Sequence, residues 1–563
     1  MTTRDEALAA LTGPGAPFEQ VEVEVGGVPT TVFASAPAAL RDLLVSGRAH
    51  GERDFLVFAD ERYTFEDHFG IVAGLARWMA DEHGVGRGDR VAIGMRNYPQ
   101  WVMAFWAVQA LGAVAVTLNA WWTAPELQYA LEDSGARLVV VDGEREERMA
   151  TMLDELGVPS LVVRPTGELR PGASSWDDVF ARLDRSPVLP EVEIGPDDPA
   201  TIIYTSGTTG LPKGALASQR NHVSNFLAVA FGGAVERMSS PPAKPPIAAP
   251  LPPASLHTYP FFHIGGLSMI YLATGFGQKL VLQYRWDLDE ALDLIEREQI
   301  TTMAAVPTIL RQMLDAPDLA SRDLSTITSL GSGGAPVPPD LVARAKAIFG
   351  DAISSSNGYG LTETTGGATG NRGADYVARP SSVGRPMPGI ELKIVDPGTG
   401  AVLPVDQVGE LWFKGATIVS GYWNKPEASA DAFTDGWFHT GDLGYIDDDG
   451  FVYVVDRIKD VVIRGGENVY CAEVEAVLFE HPAVADVAVI GMPHRELGEQ
   501  VAAVVEPKPG VAVTADELQD HVRGRLAHFK VPEIVVFRDE PLPRTATGKV
   551  LKRDLRDELT ADR

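Results

Sequence analysis

At 563 residues the chain is too long for one ordinary core, so it is expected to divide into a large part with subdomains and at least one smaller unit. Its 48 Lys and Arg against 77 Asp and Glu give a formal net charge of -29, which excludes a generic electrostatic grip on nucleic acid or anionic lipid and leaves any anionic ligand to local positive charge. With 45% hydrophobic and 22% charged residues the composition is that of a soluble globular protein, and the single Cys471 excludes an intrachain disulfide or a Cys-rich metal framework, which fits a reducing, cytoplasmic setting.

The opening MTTRDEALAALTGPG lacks the apolar stretch of a secretory signal, and the closing ELTADR is no lipidation or peroxisomal signal. Val102 to Ala120 is apolar enough to suggest a membrane span, but Gln109 and Gly112 interrupt it. It reads instead as a buried helix, Trp101 to Leu111, followed by the strand AVAVTL. Trp121 and Trp122 read as packing residues. Thr123 and Glu126 then form a capping box for the helix ELQYALEDSG, and the strand RLVVVD follows.

Strand and helix alternate again through KLVLQ, DLDEALDLIEREQ, TTMAAV, PTILRQML, TSLGSGG, PPDLVARAKAIFG and AISSSNGYG, which predicts parallel sheets covered by helices. From about Gly384 to Asp456, short alternating runs between Gly and Asp turns predict an antiparallel subdomain. Beyond Cys471 the pattern is a compact α+β module, and the main boundary is expected near residues 457 to 468. The proline-rich Ser239 to Pro253 reads as an exposed loop.

The strongest local signal is TIIYTSGTTGLPKGA, an apolar strand that runs into a Ser, Thr and Gly loop ending at Lys213. Glycine lets backbone amides approach a phosphate, hydroxyls donate hydrogen bonds, and the lysine adds charge. It is not the P-loop of NTPases, because Lys213 follows Pro212 and precedes Gly214 rather than Ser or Thr.

This segment resembles the phosphate loop of the adenylate-forming superfamily, which includes acyl-CoA synthetases, peptide-synthetase adenylation domains and beetle luciferases. GSGGAP at Gly331, GYGLTET at Gly358, TGDLG at Thr440, DRIKDVVIRGGENVY at Asp456 and PRTATGKVLKR at Pro543 follow in the order the superfamily has them. The resemblance covers about Leu40 to Arg553 and implies the superfamily's fold. That is a large domain, 1–458, of helix-covered mixed sheets with an antiparallel β subdomain, and a small mobile α+β domain, 459–563, hinged near Lys459.

The resemblance also implies roles. Thr205, Ser206, Gly207, Thr208, Thr209, Gly210 and Lys213 would hold the β- and γ-phosphates of ATP. Gly333, Gly334, Ala335 and Pro336, with Asn357, Gly358, Tyr359 and Gly360, would form the adenine site, Tyr359 stacking on the ring. Thr362 and Glu363 would contact the α-phosphate and Mg²⁺, with Thr205 as a further metal ligand, since Mg²⁺ prefers hard oxygen donors. Asp442 and Arg457 would bind the ribose. Lys549 would bridge the substrate carboxylate and the α-phosphate, and Lys549, Glu363, Thr205 and His263 are the expected catalytic residues.

FFHIGG has no acid to hold an amino group, and no carrier domain follows Arg553, so a stand-alone ligase for a non-amino acid is the expectation. A medium- or long-chain fatty acid, or a bulky apolar and even cyclic acid, would be joined to CoA. The acyl pocket would be lined by His263, Ile264, Gly265, Leu267, Val306, Gly331 and Gly333. Leu267 stands where some long-chain enzymes have a gating Trp. Rotation about Lys459 would bring Gly465, Gly466 and Glu467 to the thiol tunnel, with Phe529 and Lys530 toward CoA, although Val531 and Glu533 are not basic. An acyl-AMP ligase loading a carrier protein, or a non-catalytic nucleotide-binding protein, is the alternative. A homodimer is common among such proteins, and no sequence feature demonstrates one here.

Overall fold

The computed structural model describes residues 3–205, 211–239, 251–334, 337, 339–350, 353–545 and 548–561. Two large sheets face each other across a layer of buried helices. The first has seven strands in the order Lys213–Ser218, Pro199–Thr205, Val114–Thr117, Arg90–Gly94, Leu138–Asp142, Ser160–Val163 and Ala173–Ser175. Its pairings are parallel except for the hairpin formed by the first two. The second has nine strands and runs from Arg385–Pro386 through Gly366–Arg372, Ser354–Leu361, Ser329–Gly333, Thr302–Ala305, Ala254–His257, Lys279–Leu282 and Asp54–Phe58 to Glu61–Thr64.

The helices Phe65–His83, Pro99–Ala110 and Ile264–Phe276 share one core with strand residues of both sheets, Val91, Ile93 and Val140 on one side and Phe55, Leu56 and Leu280 on the other. This placement explains the membrane-like composition of Pro99–Ala110, because all twelve of its residues are buried. Among the described residues no helix is long and apolar enough to cross a membrane. The capping box forms as the sequence predicts, with the Thr123 amide donating to Glu126 Oε2 at 2.8 Å. Trp122 is buried, but Trp121 is half exposed under the Arg96 guanidinium, so the packing expectation holds for only one of the pair.

A third, five-stranded antiparallel sheet contains Ile390–Val395, Gly409–Gly415, Trp437–Ile446, Phe433–Thr434 and Val452–Arg457. The C-terminal module packs the helices Cys471–Phe479 and Ala515–Arg523 against Val484–His494 and Gly498–Pro507, whose alternate valines make a separate core. The chain is therefore α/β followed by α+β. Residues 240–250, most of the proline-rich stretch, lie outside the described residues.

Candidate active site

Open α/β sheets bind ligands beyond the carboxyl ends of their strands, and the residues singled out in the sequence gather there. Thr205 ends Pro199–Thr205, Val306 follows Thr302–Ala305, and Gly333 ends Ser329–Gly333. The hairpin register pairs Thr205 with Lys213, and the Thr205 hydroxyl donates to the Lys213 carbonyl at 3.3 Å, so both ends of the phosphate loop are pinned together. Ser206, Gly207, Thr208, Thr209 and Gly210 lie outside the described residues, as do Ala335 and Pro336.

Glu363 stands in the tight turn Thr362–Thr364 and is buried. Tyr422 donates its hydroxyl to Glu363 Oε1 at 2.7 Å, while the Lys213 ammonium lies 5.1 Å from the centre of the same ring. Tyr422 is itself held at the strand Lys213–Ser218, because the Leu216 amide donates to the Gly421 carbonyl and the Trp423 amide to that of Gly214. This tyrosine links Lys213 to the acidic turn. Its position in the sequence suggests no role, since its partners lie far away along the chain.

Glu363 supplies one hard carboxylate, and among the described residues no cluster of three or more His, Cys, Asp or Glu could hold a metal. Such a donor set fits Mg²⁺, which keeps waters and takes phosphate oxygens, and does not fit an ion caged entirely by protein.

Tyr359 and Asp442 form the other wall. The Tyr359 hydroxyl donates to Asp442 Oδ2 at 2.5 Å, and Arg457 Nε lies 3.2 Å from Oδ1. Burial and the adjacent carboxylate push the Tyr359 phenol well above its ordinary range. Strand pairing sets this geometry, since Asp442 and Arg457 are register partners. Asn357 is buried, and Asn357 and Gly358 lie in the same strand as Tyr359. Gly360 is required by space: a Cβ there would stand 1.8 Å from the Gly366 carbonyl oxygen.

Lys549 is half-buried in this cleft. Burial is the main influence on its ammonium and lowers its pKa to about 8; Arg457 and Lys459 act the same way, whereas Asp442 and Glu363 oppose them. The turn that carries it rests on the large domain, because a Cβ on Gly548 would lie 3.7 Å from Val306 and 3.8 Å from the Thr308 hydroxyl. A Cβ built on Gly334, at φ +81°, would lie 3.7 Å from the other methyl of Val306. Tyr259 completes that side by donating to the Gly333 carbonyl at 3.3 Å.

His263 caps the helix Ile264–Phe276, its Nδ1 accepting from the Gly265 amide at 3.2 Å. Burial first, then the charge of Lys549, lowers its pKa to about 4, so the ring is neutral at pH 7. Ile264 and Leu267 are buried in the central core, while Gly331 faces Ser356 and Ala304. Asn97 clamps the preceding loop by donating to the Tyr259 carbonyl at 2.9 Å and accepting from the Phe261 amide at 3.0 Å.

Lys459 lies in the turn Ile458–Asp460, two residues after Arg457. The residues expected at CoA are brought together on the small domain. Gly465 and Gly466 turn the hairpin between Val462–Arg464 and Glu467–Val469, and that hairpin packs beside the turn His528–Lys530. Lys530 is already paired there with Glu473 at 2.5 Å.

Comparison with known proteins places this geometry. The profile described as AMP-binding enzyme matches residues 43–423, and the one described as AMP-binding enzyme C-terminal domain matches 473–549. The chain is 37% identical to a feruloyl-CoA synthase of an Amycolatopsis species, over 84% of this chain and 89% of that protein. It is 35% identical to the long-chain-fatty-acid–CoA ligase FadD13 of Mycobacterium tuberculosis, over 85% and 90%. The ATP-bound crystal structure of MatB from Rhodopseudomonas palustris superposes with a TM-score of 0.80 at 30% identity, covering 92% of this chain and 98% of that one. The chain belongs to the AMP-binding enzyme family of adenylate-forming proteins, in its acyl-CoA synthetase branch.

Proposed function

We propose that this AMP-forming acid–CoA ligase acts on a non-amino carboxylic acid with a largely apolar body, in two steps at one cleft. In the first, a carboxylate oxygen attacks the α-phosphorus of ATP and pyrophosphate leaves. In the second, the CoA thiolate attacks the acyl carbonyl and AMP leaves. The observation that carries the reading is the position of Lys549, a half-buried cation within the field of both Asp442 and Glu363. Attack of one anion on another needs positive charge between them as the transition state forms, and a desolvated ammonium acts there with little screening.

Asp442 and Arg457 would orient the ribose, and Tyr359 the adenine, while Lys213 and Thr205 would bind the outer phosphates. Bound Mg²⁺, held by Glu363 and Thr205, would neutralise charge on the phosphate oxygens. His263, neutral at pH 7, would exclude water between the acyl pocket and the phosphates without adding charge. Val306, Gly331 and Gly333 would wall the acid, with Ile264, Gly265 and Leu267 behind His263. Rotation of residues 459–563 about Lys459 would withdraw Lys549 and present Gly466 to the thiol tunnel, giving one chain two catalytic arrangements in turn.

The test is mass spectrometry of products from ATP, Mg²⁺ and a panel of aliphatic and aromatic acids, with and without CoA. An acyl-CoA with AMP is the expected product. Accumulation of acyl-AMP with CoA unused would move the acceptor to a carrier protein, and absence of both would sink the ligase assignment.

A further inference from the structure

One half-buried arginine without a partner among the described residues lies outside the candidate nucleotide site. Arg372 ends the strand Gly366–Arg372 and is in register with Ser356, which is in register with Gly331. Two residues nearer the nucleotide, Gly333, Gly358 and Gly370 form the same row. Arg372 is thus two strands across and two residues down from Gly333, about 12 Å by ordinary strand spacing and rise.

Alternate residues of a strand share a face, so Gly370 and Arg372 point the same way, toward the helix Gln219–Ser239. A Cβ on Gly232 of that helix would lie 3.9 Å from the Arg372 guanidinium carbon. A Cβ on Gly370 would meet no heavy atom within 4 Å. Space is therefore open next to Gly370, on the face of the strand that Arg372 shares.

Among the described residues no hydrogen bond or ion pair reaches that guanidinium. The more deeply placed Arg145 and Arg170 are paired, Arg145 with Asp142 at 2.9 Å and Arg170 with Glu146 at 3.0 Å. Burial pulls the Arg372 pKa below its ordinary value, and the field of Glu236 opposes this. Glu236 is occupied elsewhere, its Oε1 accepting the Ser354 hydroxyl at 3.0 Å. The guanidinium is thus partly desolvated and has no acceptor among the described residues, and a planar fork of N–H donors is suited to an oxygen acceptor above all other groups.

We propose that Arg372 is the distal specificity determinant of the acyl pocket and that it binds an oxygen acceptor, a second carboxylate foremost, at the end of the substrate remote from the reacting carboxyl. The proposal rests on the acid–CoA ligase reading and narrows its substrate class. The preferred acids have an apolar body and an oxygen-bearing far end. An unmodified fatty acid would leave the guanidinium unsatisfied, and a site built to hydrogen-bond its ligand discriminates strongly against the analogue that lacks the group.

Pyrophosphate release is measured for aliphatic and aryl acids of matched length ending in methyl, hydroxyl or carboxylate. In the wild-type enzyme the oxygen-ended acids are expected to exceed the methyl-ended ones in kcat/KM by about 10- to 100-fold at the best length. Arg372→Met is expected to remove that ratio while methyl-ended acids stay within about threefold of wild type. Comparison of diacid with hydroxy acid ranks the two acceptors. The wild-type ratio stands by itself should Arg372→Met fail to fold. A wild-type preference for methyl-ended acids, or an unchanged ratio in folded Arg372→Met, overturns the proposal and leaves the ligase intact. Failure of every acid, methyl-ended ones included, overturns the ligase reading and the proposal with it.

Discussion

The Tyr422 hydroxyl donates to the Glu363 carboxylate at 2.7 Å, and this one bond joins the segment beside the strand Lys213–Ser218 to the turn Thr362–Thr364. A hydrogen bond to a charged group is worth about 1.5–3 kcal/mol, so its removal is measurable without unfolding the domain. Tyr422→Phe is expected to lower kcat/KM for adenylation about tenfold or more and to weaken apparent Mg²⁺ affinity. ATP–pyrophosphate exchange at varied Mg²⁺ checks this, and an unchanged Mg²⁺ dependence would reduce Tyr422 to a packing residue.

Lys549 gives a prediction about pH. Its folded pKa of about 8 lies below the ordinary 10.5, so the charged form persists below about pH 8 and is lost as pH rises through that value. The adenylation kcat/KM is therefore expected to fall on the alkaline side near pH 8, since that parameter reports the free enzyme. Lys549→Ala should remove this limb and depress adenylation by roughly 10²-fold or more, while thioester formation from supplied acyl-AMP changes far less. Equal loss in both half-reactions would contradict the assignment.

His263 should behave oppositely. With a pKa near 4 it carries no charge anywhere between pH 5.5 and 8. His263→Ala is expected to alter kcat and acid preference but to leave the shape of the pH profile over that interval unchanged. An acidic limb near pH 6.5 present in wild type and absent in the variant would show that the histidine titrates in the working enzyme.

Gly360 tests the backbone of the catalytic turn. Its missing side chain faces the Gly366 carbonyl at a distance no Cβ tolerates, so Gly360→Ala must displace the strand that carries Tyr359 and the turn that carries Glu363. A loss of stability of about 2 kcal/mol or more in urea melts, with adenylation abolished, is expected. Wild-type activity in that variant would mean that the strand pairing relaxes freely.

Much of the architecture was legible because local chemistry dictates it. Thr123 and Glu126 set a helix start within four residues, and the alternating valines of Val484–His494 could be read as a strand without knowledge of any partner. Asp442 and Arg457 were legible as a pair only through the family pattern, because two strands must meet before their side chains do. Tyr422 and Arg372 were not legible at all. Each looks ordinary in sequence, and only tertiary placement reveals that one bridges two parts of the cleft while the other lacks a partner. Trp121 shows the reverse error, since a conspicuous aromatic in sequence turns out to be half exposed.

Val306 stands between two glycine turns, since a Cβ built on Gly334 would lie 3.7 Å from one of its methyls and a Cβ built on Gly548 3.7 Å from the other. The two glycines therefore keep a margin about one carbon wide on either side of a single side chain. A change of volume at residue 306 is thus met at once by the Gly334 turn and by the turn that carries Lys549.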